Sequence, residues 1–159
     1  MINNDVLRSV RYMLDLGDGH VADIVQLADA DAVLDKHDVQ AFLRREDEPG
    51  FAPFDDRLLG LFLDGLVIHC RGRTDAPPRP PEKRVNNNVV LKKLRVAFEL
   101  KDVDMVEVFE SAGRPVTKPE LSALFRQPGH KNFRLCGDQL LRYFLRGLTL
   151  RVRGDEANR

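Results

Sequence analysis

Basic and amide side chains crowd one stretch late in the chain, where they could bind an anion or an acidic partner. Arg142 and Arg146 are four residues apart and therefore share one face of a helix, and the polar residues before them lead into its start. Basic side chains and the free N–H groups of a helix N-terminus can together hold a negatively charged group. The predicted partner- or anion-binding residues are His130, Lys131, Asn132, Arg134, Asp138, Gln139, Arg142 and Arg146.

A purely structural explanation of this stretch stays open. Charged runs are usually solvated or paired with opposite charges, so Asp138 would cap the helix and the arginines would pair with acidic residues of the first half. The corresponding residues of that half, 51–56 followed by Gly60 and Asp64, lack all of the basic character. A binding site of this kind would therefore belong to the second half alone.

A second group of basic residues supports an alternative, nucleic-acid binding. Residues 111–127, SAGRPVTKPELSALFRQ, follow the order of a helix-turn-helix, with a small residue, a glycine, a turn, a capping residue and a helix with two apolar anchors. The turn between Gly113 and Val116 is about two residues too long for that motif. The predicted phosphate contacts are Lys92, Lys93, Arg95, Lys118 and Arg126.

The usual signatures of catalysis and metal binding are missing. The sequence has no G-x-S-x-G, no phosphate-binding glycine loop and no H-E-x-x-H. Its four histidines have unrelated spacings, and Cys70 and Cys136 do not form a C-x-x-C pair. We therefore predict no catalytic residue, metal or cofactor. An enzyme acting on a small anion, with a pocket at His130, is the third and least favoured hypothesis.

The residues just described lie in a chain that repeats itself. Residues 3–16, NNDVLRSVRYMLDL, align with 87–100, NNVVLKKLRVAFEL. Residues 58–72, LLGLFLDGLVIHCRG, align with 140–154, LLRYFLRGLTLRVRG, and eight of these fifteen positions are identical, where average usage gives about one. A repeat of this length indicates two copies of one small domain rather than a solenoid.

The proposed domain boundaries follow from this repeat and from charge. The first, acidic copy spans residues 1–74, with 8 Lys and Arg against 14 Asp and Glu, a net charge of −6. A proline-rich linker spans 75–84. The basic second copy spans 85–154 and a disordered tail 155–159; residues 85–159 carry 14 basic against 9 acidic residues, a net charge of +5. The opposite charges favour attraction between the halves, or between two copies of the chain.

Apolar residues recur with the period of a helix in four segments of each copy. The pattern predicts an all-α protein of two tandem four-helix domains, which we expect to pack about a pseudo-twofold axis. Candidate caps of the first three helices are Asn4 or Asp5, Asp18 and Asp35 in copy one, and Asp102 and Thr117 in copy two. Gly65 and Gly147 lie late in the fourth helices, where each either ends the helix or allows another helix to approach.

These observations favour a non-enzymatic interaction module. It would bind a macromolecular partner, an unknown protein or another copy of itself, through the basic second repeat. Nucleic-acid binding is the alternative. No run of about eighteen apolar residues marks a membrane span, and no secretory signal is recognisable, so we expect a cytoplasmic protein without membrane contact.

Four motifs together carry a resemblance to a known family. They are NNDVLRSVRY (3–12), LRREDEPGF (43–51), NNNVVLKKLRVAF (86–98) and HKNFRLCGDQLLRYFLRGL (130–148). With them the chain resembles the YehS-like bacterial family, a duplicated domain of unknown function, over nearly all of residues 1–153. The resemblance implies a small cytoplasmic bacterial protein with two tandem domains. It implies no activity and assigns no role to any residue.

Overall fold

A computed structural model describes residues 1–77 and 80–154 of the chain. This described part contains eight α-helices and no β-strand. The prediction of an all-α protein is therefore confirmed. The predicted disordered tail, 155–159, lies outside the described residues. The helices are α1 Asn3–Leu14, α2 Asp18–Ala28, α3 Lys36–Leu43, α4 Asp56–Arg71, α5 Asn87–Ala97, α6 Asp102–Ser111, α7 Lys118–Leu124 and α8 Asp138–Arg153.

The helices divide into two compact units of four. The first unit comprises residues 1–85, and the second begins at Asn86. In each unit the helices follow the same order, and the longest helix, of 16 residues, comes last. The prediction of two tandem four-helix domains is confirmed.

Each unit has its own core of aliphatic and aromatic side chains. In the first unit the Phe54 ring lies between those of Phe42 and Phe62, with centroid distances of 5.0 and 6.4 Å. In the second unit Phe109 of α6 meets Phe144 of α8 at 5.5 Å. Each pair of rings lies in the distance range in which aromatic contacts add to the effect of burial.

Two glycines allow helices to cross closely in these cores. Helix α4 continues through Gly65 to Arg71, and α8 continues through Gly147 to Arg153, so neither glycine ends its helix. A Cβ atom on Gly65 would lie 1.8 Å from the Ile24 carbonyl oxygen, and one on Gly147 would lie 2.0 Å from that of Val108. The close-approach alternative is therefore correct, because any side chain here would collide with the backbone of α2 or α6.

The predicted helix caps are confirmed at the third helices and wrong at the first two. Asp35 accepts from the Asp38 amide at 2.8 Å, and Thr117 accepts from the Glu120 amide at 3.2 Å. Asp18 and Asp102 are instead the first residues inside their helices, preceded by the caps Gly17 and Lys101. At α6 the Lys101 amide donates back to Asp104 at 2.8 Å, so a side chain inside the helix satisfies this end.

The end of the predicted linker and Val85, the predicted first residue of the second copy, lie on the first unit. The Val85 amide donates to Oδ2 of Asp56 at 3.1 Å, and the Asn3 side chain donates to Oδ1 of the same carboxylate at 2.8 Å. A Cβ on Gly60 of α4 would lie 3.5 Å from Val85 and 3.6 Å from Glu82. Glu82 and Val85 therefore lie against α4 at Gly60, near the start of the helix.

Candidate functional site

A half-buried asparagine of α5 holds the two ends of the segment that joins α7 to α8. The Asn88 side chain donates to the Leu124 carbonyl oxygen at 3.0 Å and to that of Arg134 at 2.9 Å. Its oxygen accepts from the Cys136 amide at 2.9 Å. One amide side chain thus ties the end of α7 to the approach to α8, and uses both of its N–H groups and its carbonyl to do so.

The first unit contains the same arrangement around Asn4. We call the hydrogen bonds of Asn4 and Asn88 to the loop before the fourth helix of each unit the asparagine clamps. Asn4 donates to the carbonyl oxygens of Phe42 and Ala52 at 2.8 and 2.9 Å, and it accepts from the Phe54 amide at 3.0 Å. This side chain is 1% exposed. Asn4 was predicted as a helix cap, and this is wrong for a physical reason: its amide satisfies backbone groups that have no partner within a helix. The cap of α1 is Ile2, whose amide donates to Asp5 at 2.8 Å.

The α7–α8 loop, residues 125–137, carries the first half of the predicted binding residues. It is similar in length to its counterpart after α3, residues 44–55, but His130, Lys131 and Asn132, between Pro128-Gly129 and Phe133, have no equivalent between Pro49-Gly50 and Phe51. They form a compact turn, in which Nδ1 of His130 accepts from the Asn132 amide at 2.9 Å and its carbonyl oxygen accepts from the Phe133 amide at 3.0 Å. The imidazole of His130 therefore orders this turn, and the exposed Lys131 is displayed on it.

Arg134 occupies the most constrained position of the α7–α8 loop. Its backbone amide donates to the Ala123 carbonyl oxygen at 3.0 Å, while its own carbonyl oxygen accepts from Asn88. The side chain is exposed. Ala52, the counterpart in the first unit, has the same two backbone bonds, at 3.1 Å to the Ala41 carbonyl oxygen and at 2.9 Å from Asn4. The backbone at this position is therefore hydrogen-bonded in the same way in both units, but only in the second unit does the residue carry a guanidinium group.

The remaining binding residues lie on the first half of α8. Arg142 and Arg146 are exposed on one face, and Arg142 donates to the Gln139 side chain at 3.3 Å. Asp138 is not the cap of α8, because Gly137 occupies that position. Asp138 instead accepts from the Asn87 side chain at 2.8 Å, and this hydrogen bond lowers the pKa of its carboxyl group. The carboxylate at the start of α8 disfavours a small anion there.

Cys136 closes the loop as a buried, unreactive thiol. Burial, reinforced by the negative charge of Asp138, raises the pKa of Cys136 to about 11, although the positive charge of Arg134 opposes this. At neutral pH the group is a neutral thiol. Cys136 therefore contributes to packing and is no nucleophile.

We call Lys131, Arg134, Arg142 and Arg146, with the apolar Leu135 beside them, the basic surface. Leu135 is 67% exposed, next to the constrained Arg134. Sequence reasoning missed Leu135 as a binding residue, although an apolar residue inside a polar loop was a visible signal. It also missed Asn88, whose signal was an asparagine at the same position of both copies.

The predicted phosphate contacts do not form one comparable cluster. Arg95 already has partners within the second unit. Its side chain donates to the Leu100 carbonyl oxygen at 3.0 Å and to Asp102 at 2.5 Å, and its guanidinium carbon lies 4.7 Å from the Phe125 ring centroid. Lys92, Lys118 and Arg126 are exposed, on α5, at the start of α7 and just beyond its end, whereas Lys93 is half-buried. Six residues separate α6 from α7, and α7 has only seven. A helix-turn-helix has a shorter turn.

Two further features bear on the site. Within residues 1–77 and 80–154, no group of three or more His, Cys, Asp or Glu side chains could hold a metal ion. In the same ranges, no helix is both long and apolar enough to cross a membrane.

Comparison with known proteins places the chain in a family. The family described as "protein of unknown function (DUF1456)" matches residues 3–72 and again residues 87–154. The chain is 47% identical over 152 residues to "Uncharacterized protein YehS" of Escherichia coli (strain K12), an alignment that covers 95% of this chain and 96% of that protein. No solved structure matches the chain. The resemblance inferred from the motifs is confirmed, and the chain belongs to the DUF1456 family of uncharacterised proteins, whose domain it carries twice.

Proposed function

We propose that this protein is a non-enzymatic interaction module whose basic surface binds an acidic protein partner. The observation that supports the proposal most is the conformation of Arg134. Both its backbone N–H and its carbonyl oxygen are hydrogen-bonded, while its side chain is exposed. A side chain on an ordered backbone loses less conformational entropy on binding than one on a mobile loop.

The state of the basic surface supports binding rather than simple solvation. In the first unit Arg45 pairs with Glu48 at 3.3 Å and Arg57 with Asp29 at 3.1 Å. Within the described part of the second unit, Arg95, Arg114 and Arg151 have ion-pair partners, whereas Lys131, Arg134 and Arg146 have none there. These charges are available to an opposite surface. Charge complementarity of this kind contributes mainly to association rate and partner choice.

Leu135 favours a protein partner over nucleic acid. An apolar side chain gains free energy when a partner removes it from water, at about 25 cal/mol per Å² of buried area. A phosphate backbone offers no apolar surface for this purpose, whereas a protein interface combines an apolar centre with a polar rim. Nucleic-acid binding keeps the weaker support of Lys92, Lys118 and Arg126, which are exposed but scattered over two helices and a loop.

Two triple variants of equal charge change separate these functions. Arg134→Glu/Arg142→Glu/Arg146→Glu alters the basic surface, and Lys92→Glu/Lys118→Glu/Arg126→Glu alters only the predicted phosphate contacts. Each immobilised variant is compared with the wild type in capture from an Escherichia coli lysate, with and without nuclease. We expect nuclease-resistant capture of acidic proteins that the first variant loses and the second retains. Capture that is sensitive to nuclease, and lost in the second variant, would instead establish nucleic-acid binding.

A further inference from the structure

The first unit carries an exposed segment whose character is opposite to that of the basic surface. We call residues 29–35, DADAVLD, the acidic loop; it joins α2 to α3. Val33 in this loop is 88% exposed, more than any other large apolar residue of the described chain. Asp31 and Asp35 flank it, and both are exposed.

Hydrogen bonds fix the acidic loop on both sides of Val33. Asp29 accepts from the Asp31 amide at 3.0 Å with its side chain, and from the Ala32 amide at 3.0 Å with its backbone oxygen. Gln26 of α2 donates to the Ala32 carbonyl oxygen at 3.2 Å. At its other end the loop is fixed by Asp35, which caps α3. Val33 is therefore presented to solvent by an ordered backbone.

We infer that the acidic partner surface is the acidic loop of a second copy of this chain, an inference that rests on the proposed function. Each surface consists of an exposed apolar residue beside charged groups on an ordered loop, Val33 with aspartates in one case and Leu135 with arginines in the other. Contact between Val33 and Leu135 would remove both from water, while Asp31 and Arg134, close to them in sequence, supply opposite charges. Apolar contact ringed by complementary charge is the general composition of a protein–protein interface.

The charge balance of the chain supports this occupant. The first 74 residues carry a net charge of −6, and residues 85–159 carry +5, so two molecules attract when unlike halves meet. Salt weakens such attraction, because the Debye length falls from about 10 Å at 0.1 M to about 3 Å at 1 M. The two contacting surfaces differ, so the contact between molecules is heterologous unless two such contacts close a dimer.

Two mirrored double variants test the inference in the full chain. Arg134→Glu/Leu135→Glu makes the basic surface acidic, and Asp31→Lys/Val33→Lys makes the acidic loop basic. All four side chains are exposed, and far-UV circular dichroism with thermal melting confirms folding of each variant. Sedimentation velocity is measured from about 1 to about 100 μM protein, the range of weak complexes, at about 0.05 M and about 0.5 M salt.

We expect wild-type protein to associate with rising concentration at low salt, and each double variant alone to weaken association at least about tenfold. A mixture of the two variants should associate again, because the unchanged acidic loop of the first variant can meet the unchanged basic surface of the second. A wild type that stays monomeric throughout, or association that neither variant weakens, overturns the inference. If the wild type is monomeric while capture of acidic proteins still depends on Arg134, Arg142 and Arg146, the proposed function stands and only the second copy is excluded.

Discussion

The asparagine clamps should make two chemically identical substitutions unequal in cost. Asn4→Ala removes three hydrogen bonds and leaves two carbonyl oxygens and one amide without a partner, around a side chain that is 1% exposed. An unsatisfied buried backbone group costs about 1–3 kcal/mol. At the lower end of that range for each group, the free energy of unfolding should fall by about 3–4 kcal/mol.

Asn88→Ala removes the same three bonds in the second unit, where Leu124 and Cys136 are buried but Asn88 itself is half-buried and Arg134 is exposed. Water can replace part of the lost bonding, so we expect a cost of about 1–2 kcal/mol. Two other asparagines provide controls. Asn86→Ala removes the α5 cap, whose side chain accepts from the Val89 amide at 2.9 Å, and should cost about 1 kcal/mol. Asn132→Ala alters an exposed side chain and should change stability by less than about 0.5 kcal/mol.

Urea unfolding followed by far-UV circular dichroism measures these costs. Amide hydrogen exchange at Phe54 and Cys136, which donate to the two asparagines, assigns each loss of protection to its own unit. If Asn4→Ala costs no more than Asn132→Ala, the clamp does not stabilise the fold. If Asn88→Ala costs more than Asn4→Ala, the argument from burial is wrong.

Three further outcomes follow from the packing. Gly147→Ala should destabilise the protein by about 2–3 kcal/mol or more, because its Cβ would collide with the backbone of α6. Gly60→Ala should be neutral or stabilising by up to about 1 kcal/mol, because its Cβ would lie at an ordinary 3.5 Å from Val85. Thermal melting of the two variants distinguishes these outcomes. Thr117→Ala should cost about 1 kcal/mol in urea unfolding, through loss of the α7 cap. Cys70 should react with a maleimide in the native protein while Cys136 stays unmodified near pH 7; equal labelling rates would refute this.

Much of the architecture was predictable because two kinds of signal repeat along the chain. Helical periodicity and the alignment of the two halves identified all eight helices and both domains, and Thr117 with Glu120 identified the start of α7. The predictions of the helix caps were wrong where the residue before the predicted one occupies the N-cap position. Asp18 and Asp102 are displaced by one residue because Gly17 and Lys101 take the extended conformation that a cap requires.

Long-range bonding and exposure could not be read from the sequence. The clamps join residues 36 to 50 positions apart, and no local pattern distinguishes an asparagine that caps its helix from one that bonds distant loops. The position of Leu135 inside a polar loop was visible in the sequence, but its 67% exposure was not. The sequence indicated which residues are basic. It could not indicate that Arg95 bonds to Leu100 and Asp102, because these bonds depend on how α5 packs against the turn before α6.

The most direct test of the account moves the decisive guanidinium from one unit to the other. Ala52 and Arg134 have the same pair of backbone bonds, so Ala52→Arg/Arg134→Ala keeps net charge and composition while removing Arg134 from the basic surface of the second unit. The amount of acidic protein that this variant captures from a nuclease-treated lysate should fall to the amount captured by Arg134→Ala alone. The reason is that the first unit has no counterpart of Arg142 or Arg146 near Ala52. Binding at the wild-type level would contradict the claim that the second unit alone presents the binding surface.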